Sequence, residues 1–539
     1  MNNIIKRLTY SVIILPCVIS CNTVEPQIRQ TPMMGWSSWN SYRVDINDEI
    51  IMAAADSLIS KGLANLGYRH VNIDDGWFGG IDGIGRNTDG TVKVNNERFP
   101  RGMRIVSDHI HSLGLKAGIY SDAGANTCGS IYDNDSAGIG VGMWQYDEID
   151  ANTFFIDWNF DHIKIDFCGG SDTGKSDFER YTAIRKAFNA TGREDITMNI
   201  CRWEFPGTWA IGTGSSWRIA TDIYPNWKDV VKQFHQNLYL SAYAGPGHFN
   251  DMDMLEIGNP KSRISREQEY THFALWCFMK SPLMIGGKLT TLSPEELAIY
   301  SNKSLIDINQ DILGQQPYAI WRTDNQFILV SDIEKKNGKK RAVCFFNDSD
   351  QPYDFEVDFK DVCLSGGVKV INANSDKKVG VFNDKFNATL SPYQAIVYTF
   401  EGEKRLPQVR YEAENGFLNN YKPDNSPKRA VATYKSGSEF STGAYVKQLG
   451  GSENNWLQFK NIHVDKKGEY KLSVAYSNPD KKDMYIQVND DKYNCVDLKS
   501  DGESIFIHTL NIKLNKGNNM IRINNDFDFA PEIDYIEIK

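Results

Sequence analysis

Histidine and cysteine are both scarce in this sequence, with nine of each among 539 residues. Because no Cys-x-x-Cys pair and no histidine-rich cluster occurs, the sequence does not indicate a zinc site. Basic tracts are also lacking and the formal net charge is −10, which argues against a nucleic-acid partner. Beyond the first residues, no apolar run has the length of a transmembrane helix. These features exclude zinc proteins, nucleic-acid binders and membrane-spanning proteins.

The N-terminus has the pattern of an export signal. A short basic region precedes an apolar run from Leu8 to Ile19, which ends just before Ser20 and Cys21. A small residue directly before cysteine resembles the lipobox of bacterial lipoproteins, and this predicts a signal peptide at 1–21, acylation of Cys21 and a linker at 22–30. An ordinary secretory signal cleaved nearby is the alternative. We expect an exported, lipid-anchored protein of the cell envelope, in the periplasm or at the cell surface, that contacts the membrane only through its lipid.

Residues 31–311 alternate short β runs with stretches of helical periodicity. This alternation over about 280 residues is typical of a (β/α)8 TIM barrel. No Gly-x-Gly-x-x-Gly follows the first strand, which disfavours a doubly wound dinucleotide-binding sheet. The predicted β runs are 70–74, 115–120, 162–166, 196–201, 217–220 and 282–286.

The rest of the chain is β-rich. Short strands separated by Asp, Asn and Gly turns predict a small antiparallel β domain at 312–402. Further strands follow a polar joint that contains Pro407, and they predict a jelly-roll β-sandwich at 403–539. The predicted fold is therefore an α/β barrel followed by two β domains.

Charged side chains follow one predicted barrel strand after another. In a parallel barrel the C-terminal ends of the strands meet at one mouth, so these charges are expected to converge. Burying so many charges without partners would be costly. Any single aspartate could instead be a helix N-cap, but the whole set is hard to explain in that way. The set comprises Asp74, Asp75, Asp122, Lys164, Asp166, Arg202, Arg218, Asp222, Asp251 and Asp253.

Many carboxylates, a few cations and no nucleotide motif point to carbohydrate chemistry. Glycoside hydrolysis needs one carboxylate to attack or to activate water, and one acid to protonate the leaving oxygen. The chain is rich in aromatic rings on which sugar faces can stack, although large β domains share this richness. Tyr120 is one aromatic residue expected to bind substrate at the mouth. A barrel lyase or isomerase would need a metal cluster or a phosphate loop, and the sequence has neither.

Six motifs resemble glycoside hydrolase family 27, which contains α-galactosidases and α-N-acetylgalactosaminidases. The resemblance spans residues 31–320 and follows the family's order. The motifs are Thr-Pro-Met-Met-Gly-Trp-Ser-Ser-Trp at 31–39, Ile-Asp-Asp-Gly-Trp at 73–77, Gly-Ile-Tyr-Ser-Asp at 118–122, Lys-Ile-Asp-Phe-Cys at 164–168, Trp-Arg-Ile-Ala-Thr-Asp at 217–222 and Asn-Asp-Met-Asp-Met-Leu at 250–255.

The resemblance implies a retaining exo-glycosidase, most simply an α-galactosidase, that needs no cofactor and whose partner is an α-galactoside-containing glycan. It implies that Asp166 is the nucleophile and Asp222 the acid/base. Lys164 lies two residues from Asp166, so both point to one face of the strand and the lysine would keep Asp166 ionised. We expect burial beside Asp166 to raise the pKa of Asp222. Sugar-binding roles are implied for Trp39, Asp74, Asp75, Lys164, Arg218 and Asp253.

One segment departs from the family pattern. Where α-galactosidases present a Glu after the fifth strand and a Leu shortly beyond, this chain has Arg202 and Phe205. We predict that Arg202 binds near the 2-position of the sugar and that Phe205 occupies the space an acetamide would need. Arg202 could instead be structural, paired with Glu204 or with neighbours of Asp166. The exact sugar therefore stays open, and the β-L-arabinopyranosidases and isomaltodextran-cleaving enzymes of the family are alternatives.

The resemblance also implies a disulfide between Cys128 and Cys168, with two free thiols as the alternative. The C-terminal region resembles carbohydrate-binding modules in which acidic residues ligate a structural Ca²⁺. The candidate ligands here are Glu412, Glu414 and Asp534, and a purely structural sandwich is the alternative.

A function of another class is a surface glycan-binding lipoprotein whose barrel is no longer catalytic. The sequence argues against it because the two aspartates that the family uses for catalysis, Asp166 and Asp222, are both present.

Overall fold

A computed structural model describes residues 30–80, 85–421, 431–501 and 504–539. The predicted signal peptide, the acylation site Cys21 and nearly all of the predicted linker lie outside these residues. Among the residues described, no helix combines the length and the apolarity needed to cross a membrane.

Eight parallel strands form the first domain. Neighbouring strands pair in the order β7-β6-β5-β4-β3-β2-β1-β8, so β1 contacts both β2 and β8. A bridge between Leu255, just beyond β7, and Ile285 in β8 closes the ring. The predicted TIM barrel is therefore confirmed. The strands are β1 (Met34–Ser37), β2 (His70–Asn72), β3 (Lys116–Asp122), β4 (His162–Asp166), β5 (Thr197–Ile200), β6 (Ser216–Arg218), β7 (Phe249–Asp251) and β8 (Leu283–Ile285).

Helices between and after the strands surround the ring. Ser176, Ser265 and Ser293 each begin a helix with a capping box, in which the serine and the residue three positions later satisfy each other's backbone amides. The helices are α1 (Trp39–Tyr42), α2 (Asp48–Ser60), α3 (Met103–Ser112), α4 (Cys128–Tyr132), α5 (Asp147–Asn152), α6 (Asp177–Ala190), α7 (Trp227–Asn237), α8 (Arg266–Phe278), α9 (Pro294–Tyr300) and α10 (Lys303–Asn309).

Two barrel strands were not among the predicted β runs. β1 reads Met-Gly-Trp-Ser and β7 reads Phe-Asn-Asp, so neither contains the β-branched residues that mark a strand in the sequence. In β1, Gly35 lies so close to β2 that a Cβ atom would be 2.2 Å from the carbonyl oxygen of His70. β6 also ends earlier than predicted, at Arg218, so that Asp222 lies in the loop that follows.

The second domain is antiparallel, as expected. Its main sheet has the order β15-β14-β17-β11-β10-β9, and β12 pairs with β16 and β13 with β18. The strands are β9 (Tyr318–Arg322), β10 (Gln326–Asp332), β11 (Lys340–Asn347), β12 (Tyr353–Asp358), β13 (Leu364–Ser365), β14 (Val368–Asn372), β15 (Lys377–Phe382), β16 (Lys385–Leu390), β17 (Gln394–Glu401) and β18 (Lys404–Arg405).

The C-terminal domain consists of two antiparallel sheets with a separate apolar core. One has the order β21-β22-β29-β24-β27, with β19 also on β29, and the other β20-β23-β28-β25-β26. This agrees with the predicted sandwich. The strands are β19 (Arg410–Glu412), β20 (Phe417–Leu418), β21 (Thr433–Ser436), β22 (Ala444–Lys447), β23 (Leu457–Val464), β24 (Gly468–Ser477), β25 (Met484–Val488), β26 (Asp491–Cys495), β27 (Ile505–Leu514), β28 (Gly517–Asn524) and β29 (Glu532–Ile538).

Candidate active site

A lysine and two aspartates meet at the ends of β2 and β4. Lys164 Nζ lies 3.1 Å from Asp74 Oδ2 and 3.7 Å from Asp166 Oδ2. The side chains of Lys164 and Asp166 point to one face because they are two residues apart on β4. The geometry therefore brings together three of the residues expected from the sequence.

Asp166 is a buried carboxylate beside sulfur atoms. Burial raises its pKa, while the positive charge of Lys164 and a hydrogen bond from the thiol of Cys201 act in the opposite direction. Sγ of Cys128, part of a disulfide, lies 3.2 Å from Asp166 Oδ2. Among the described residues, the buried oxygen Oδ1 of Asp166 has no hydrogen-bond partner. Cys201 was not predicted as a site residue, because its contact with Asp166 joins two strands.

Asp222 and Asp253 share one arginine. Arg218 Nη2 lies 3.0 Å from Asp222 Oδ1 and 2.8 Å from Asp253 Oδ2. Asp253 has a left-handed backbone, with φ of 73°, which is uncommon for a residue other than glycine and is often found at functional sites. Burial raises the pKa of Asp253 to about 6. The two sides of the mouth are thus each organised around one cation, Lys164 on one side and Arg218 on the other.

The expected raised pKa of Asp222 is wrong for this unliganded structure. Desolvation does raise the pKa, but the charges of Arg218 and Lys164 outweigh it and hold the pKa below its usual value. The Asp222 side chain is also 46% exposed, whereas that of Arg218 is 4% exposed. The prediction considered the negative nucleophile and left out the ion pair with Arg218, which is the largest of the influences that lower the pKa of Asp222.

Asp75 and Asp122 hold loops at the mouth. Asp75 Oδ2 accepts a hydrogen bond from the amide of Gly129 at 2.7 Å, and burial raises its pKa to about 7. Asp122 Oδ2 accepts one from the amide of Cys168 at 2.7 Å, and burial raises its pKa to about 8. The disulfide between Cys128 and Cys168, whose Cα atoms are 5.2 Å apart, joins the same two loops.

Trp39 and Tyr120 lie beside Lys164, with their ring centres 5.9 Å and 5.2 Å from Nζ. Arg43 was not predicted as a site residue. Its guanidinium stacks on Trp39 and lies 4.4 Å from the centre of the ring. Two hydrogen bonds of 2.6 Å tie Arg43 to Asp133. The aromatic rings therefore line a mouth that carries both signs of charge.

Arg202 lies in a network of ion pairs. Its guanidinium is 3.3 Å from Asp177 Oδ2 and 3.4 Å from Glu204 Oε1, and it stacks 4.7 Å from the centre of the Phe167 ring. The Glu204 pair is the structural alternative described above, and Asp177 at the start of α6 is a partner that sequence reasoning missed. Phe167 directly follows Asp166, so Arg202 still lies next to the mouth.

Three carboxylates cluster in the C-terminal domain. Ser441 links two of them, since its amide donates to Asp534 at 3.0 Å and its hydroxyl to Glu412 at 3.1 Å. Burial raises the pKa of Glu412 to about 8, that of Asp534 to about 7, and that of Glu414 as well. Within the described part of the chain, none of the three forms an ion pair, and one buried oxygen each of Glu412 and Glu414 has no hydrogen-bond partner. Carboxylate oxygens are the donors that a hard cation prefers, but in the described structure the ligand oxygens of these three acids do not all lie within 4.8 Å of one another.

The fold and the mouth define the class: a (β/α)8 barrel whose strand ends carry paired carboxylates and cations, with two β domains attached. The family model described as alpha galactosidase A matches residues 31–311, and that described as carbohydrate binding module (family 35) matches residues 409–539. The chain belongs to the alpha galactosidase A family.

Similar proteins that are named as alpha-galactosidases support this assignment. The chain is 41% identical to alpha-galactosidase 3 of Arabidopsis thaliana, over 64% of this chain and 75% of that protein. It is 35% identical to alpha-galactosidase A of Cellvibrio japonicus, over 62% of this chain and 80% of that protein. Among solved structures, alpha-galactosidase I from Mortierella vinacea matches with a TM-score of 0.64 and 28% identity, covering 70% of this chain and 99% of that one.

Proposed function

We propose that this protein is a retaining exo-α-galactosidase in which Asp166 is the nucleophile and Asp222 the acid/base. The observation that carries the proposal is the arrangement of Asp166: it is buried, lies 3.7 Å from Lys164 and has one oxygen without a partner among the described residues. A nucleophilic carboxylate needs to be ionised, and the positive charge of Lys164 favours the ionised form against the burial that raises the pKa of Asp166.

The proposed reaction is a double displacement. Asp166 attacks the anomeric carbon while Asp222 gives its proton to the glycosidic oxygen, which leaves with the aglycone. Water then attacks the glycosyl ester and Asp222 takes its proton, which regenerates both carboxyl groups. A neutral sugar bound over Asp222 excludes water and raises its pKa, and this favours the protonated form that the first step requires.

Galactose is the proposed sugar because the most similar relatives reported above are alpha-galactosidases by name. Asp74 and Lys164, bonded to each other at 3.1 Å, would bind the hydroxyls on the O4 and O6 side of the ring, and Trp39 would pack against its face. That Phe205 excludes an acetamide at the 2-position stays a prediction from the family resemblance, since its ring packs between Trp217, Tyr243 and Tyr421.

The test compares aryl α-galactoside, β-L-arabinopyranoside and α-glucoside side by side. The arabinoside lacks only the hydroxymethyl group of galactose, and a missing group of this size typically costs about 10–200-fold in kcat/KM. We expect the galactoside to be cleaved faster by such a factor. A preference for either of the other two glycosides would reject the galactose assignment while leaving the hydrolase intact.

The nucleophile has its own test. A slow 2-fluoro galactosyl substrate should label the peptide that contains Asp166, and NMR should show the α-anomer as the first product. A label on another peptide, or a β-configured first product, contradicts the mechanism.

We further propose that Glu412, Glu414 and Asp534 hold a structural Ca²⁺ and that catalysis needs no cofactor. The support is the buried carboxylate cluster, whose charges no described basic side chain pairs. Metal analysis of the purified protein should find about one calcium per chain. Calcium takes about six to eight oxygen ligands, so neighbouring oxygens would complete the set that these acids begin. Protein that retains no calcium after gel filtration in calcium-containing buffer rules this site out.

Export and lipid anchoring at Cys21 remain a proposal, supported by the apolar run and the residue before the cysteine. Cells fed a labelled fatty acid should incorporate it into the wild type and not into the Cys21→Ala variant. Equal labelling of the two proteins contradicts acylation at this residue.

A further inference from the structure

Arg43 lies at the edge of the barrel mouth in a fixed position relative to Trp39. Its guanidinium stacks on the indole, 4.4 Å from the ring centre. The amide of Arg43 donates to the carbonyl of Trp39 at 2.7 Å, which closes α1. The backbone of Arg43 has a φ of 50°, a left-handed conformation that is uncommon for a residue other than glycine and is often found at functional sites. Arg43 is therefore held against the ring that would pack on galactose.

Asp133 orients the guanidinium of Arg43 and leaves one of its nitrogens unused. Nε and Nη2 of Arg43 each donate to one oxygen of Asp133, at 2.6 Å. Within the described part of the chain the third nitrogen, Nη1, donates to no acceptor, and the arginine side chain is 39% exposed. Because the ion pair already balances the charge, this nitrogen suits a neutral acceptor such as a sugar hydroxyl better than an anion.

Arg43 also lies on the side of the mouth where the leaving group has to bind. Its pKa is raised by Asp133 above all, and to a smaller extent by the charges of Tyr224 and Asp222, so both of these residues are close to it. Asp222 would protonate the glycosidic oxygen, which joins galactose to the leaving group. The leaving group must therefore extend past Asp222, on the side that faces Arg43 and away from Asp166.

Tyr224 presents an exposed aromatic ring on the fixed segment that follows the acid/base. The residue is 59% exposed. On one side of it the amide of Ile223 donates to Asp253 Oδ2 at 2.9 Å, and on the other the carbonyl of Pro225 accepts from the amide of Arg263 at 2.9 Å. A single exposed tyrosine is ordinary on a protein surface. This one lies on a backbone that is held from both sides, beside a guanidinium with an unused donor.

We propose that Arg43 and Tyr224 form the binding site for the leaving sugar. Arg43 Nη1 donates to a hydroxyl of that sugar, Tyr224 stacks on its ring, and the preferred substrate is galactose linked to a second neutral sugar. The proposal rests on the proposed function and deepens it by naming the substrate class. Neither residue lies within the six motifs, since Arg43 follows the first and Tyr224 the fifth.

The first test is a ratio of two kcat/KM values, for a disaccharide of galactose α-linked to glucose and for α-galactosyl fluoride. The fluoride carries no second sugar and leaves without a proton, so it reports on galactose binding and on Asp166 alone. In Tyr224→Ala we expect the ratio to fall about fivefold, as for the loss of one ring contact. Tyr224→Phe keeps the ring and should keep the ratio. The matched control is Tyr270→Ala, since Tyr270 is a 47% exposed tyrosine on α8, outside the barrel.

Arg43→Lys separates binding of the leaving sugar from an electrostatic effect on Asp222. Lysine keeps the positive charge but lacks the planar fork that donates to Asp133 and to the sugar at once. We expect the ratio to fall about tenfold, as for the loss of a hydrogen bond from a charged group, while the alkaline limb of the pH profile stays in place. A purely electrostatic role of Arg43 would leave the ratio unchanged in this variant.

The second test runs the same site in the direction of transfer. With the fluoride as donor and glucose as acceptor, a glucose hydroxyl attacks the glycosyl ester, Asp222 takes its proton and Asp166 leaves as the carboxylate. Half-maximal transfer should need about fivefold more glucose in Tyr224→Ala than in the wild type.

The inference and the proposed function fail in different ways. If the wild type hydrolyses the fluoride but Tyr224→Ala and Arg43→Lys keep the wild-type ratio, the proposed function stands and the leaving-sugar site is wrong. An equal fall of the ratio in Tyr270→Ala also overturns the site, because the effect would not belong to the mouth. A wild type that hydrolyses neither substrate rejects the proposed function, and the site with it.

Discussion

The carboxylates around Lys164 and Arg218 at the barrel mouth differ from the three carboxylates of the C-terminal domain in their cation partners. At the mouth each pair of acids shares a fixed cation, Lys164 for Asp74 and Asp166, and Arg218 for Asp222 and Asp253. In the C-terminal domain, Glu412, Glu414 and Asp534 form no ion pair within the described residues, and burial raises the pKa of each.

The difference indicates what each group is prepared for. A protein cation favours the charged form of a neighbouring carboxylate, which suits a nucleophile, and it opposes the burial that raises the pKa of Asp166 and Asp253. Buried carboxylates without such a cation hold protons or bind an added cation, because isolated buried charge is costly. The comparison predicts large effects on turnover at the mouth and effects on stability in the C-terminal domain.

The largest expected effect follows from Asp166→Asn, which removes the nucleophile and should lower kcat at least about a thousandfold. Aryl α-galactoside hydrolysis measures it, with circular dichroism to verify the fold. Asp307→Asn is the control, since Asp307 lies on α10 in an exposed pair with Lys303 and should not alter turnover. Turnover within tenfold of the wild type in Asp166→Asn would show that another group is the nucleophile.

The disulfide should stabilise the mouth and leave the C-terminal domain unaffected. Cys128 and Cys168 are 40 residues apart in sequence, and the chain-entropy model gives about 4 kcal/mol for closing a loop of this length. Replacing both cysteines with serine should lower the free energy of unfolding of the barrel by this order, as measured by urea unfolding followed by barrel tryptophan fluorescence. A loss below about 1 kcal/mol contradicts the entropic estimate.

If calcium binds at the proposed site, its removal should destabilise the C-terminal domain, and more so at pH 8 than at pH 5. Burial in the folded domain raises the pKa of Glu412 to about 8 and that of Asp534 to about 7. At a pH between the ordinary carboxyl pKa and these raised values, the folded acids stay protonated, whereas the same acids in the unfolded chain have lost their protons. Stability without metal therefore falls as the pH rises through this range and levels off above about 8.

Calcium bound at the proposed site would oppose that loss of stability. At free calcium of 100 times Kd the stabilisation is about 2.7 kcal/mol, and it should shrink toward pH 5, where protons compete for the same oxygens. Calorimetry with and without chelator at the two pH values measures it. Chelator effects of equal size at both values, or no effect at either, contradict the prediction.

Arg202→Ala tests whether this residue reads the sugar or only supports the mouth. If Arg202 binds near the 2-position, kcat/KM for the galactoside should fall at least about tenfold, as expected for a hydrogen bond to a charged group, and a 2-deoxy galactoside should be little affected. Equal losses on both substrates would assign Arg202 to its ion pairs with Asp177 and Glu204.

The smallest expected effect is a shift in pH dependence in Arg43→Gln. The charge of Arg43 is one of the influences that lower the pKa of Asp222, after those of Arg218 and Lys164. Removing the charge of Arg43 therefore raises the pKa of Asp222. Asp222 then stays protonated up to a higher pH, so the alkaline limb of the kcat/KM profile moves to higher pH. Arg43→Lys keeps the charge and should leave the limb in place. A limb that stays fixed or moves to lower pH in Arg43→Gln rejects this electrostatic role.

The sequence by itself determined the barrel, the two β domains and the family. The family could be predicted because charged residues follow the strands in the family's order, from Asp74 to Asp253. The barrel could be predicted because strands and helices each leave a local pattern of apolar residues, and these patterns alternate along the chain. The candidate pair Asp166 and Asp222 and the cysteines 128 and 168 were visible for the same reason: each lies in or beside a short motif.

Only the tertiary structure decided the electrostatics and the packing between domains. The lowered pKa of Asp222 depends on a 3.0 Å contact with Arg218, and the partner of Arg202 at the start of α6 is 25 residues away in sequence. The contact between Tyr421 and Phe205 joins residues more than two hundred positions apart. Coulomb energies and ring contacts depend on separations of a few ångströms, and no local pattern in the sequence encodes distances across domains.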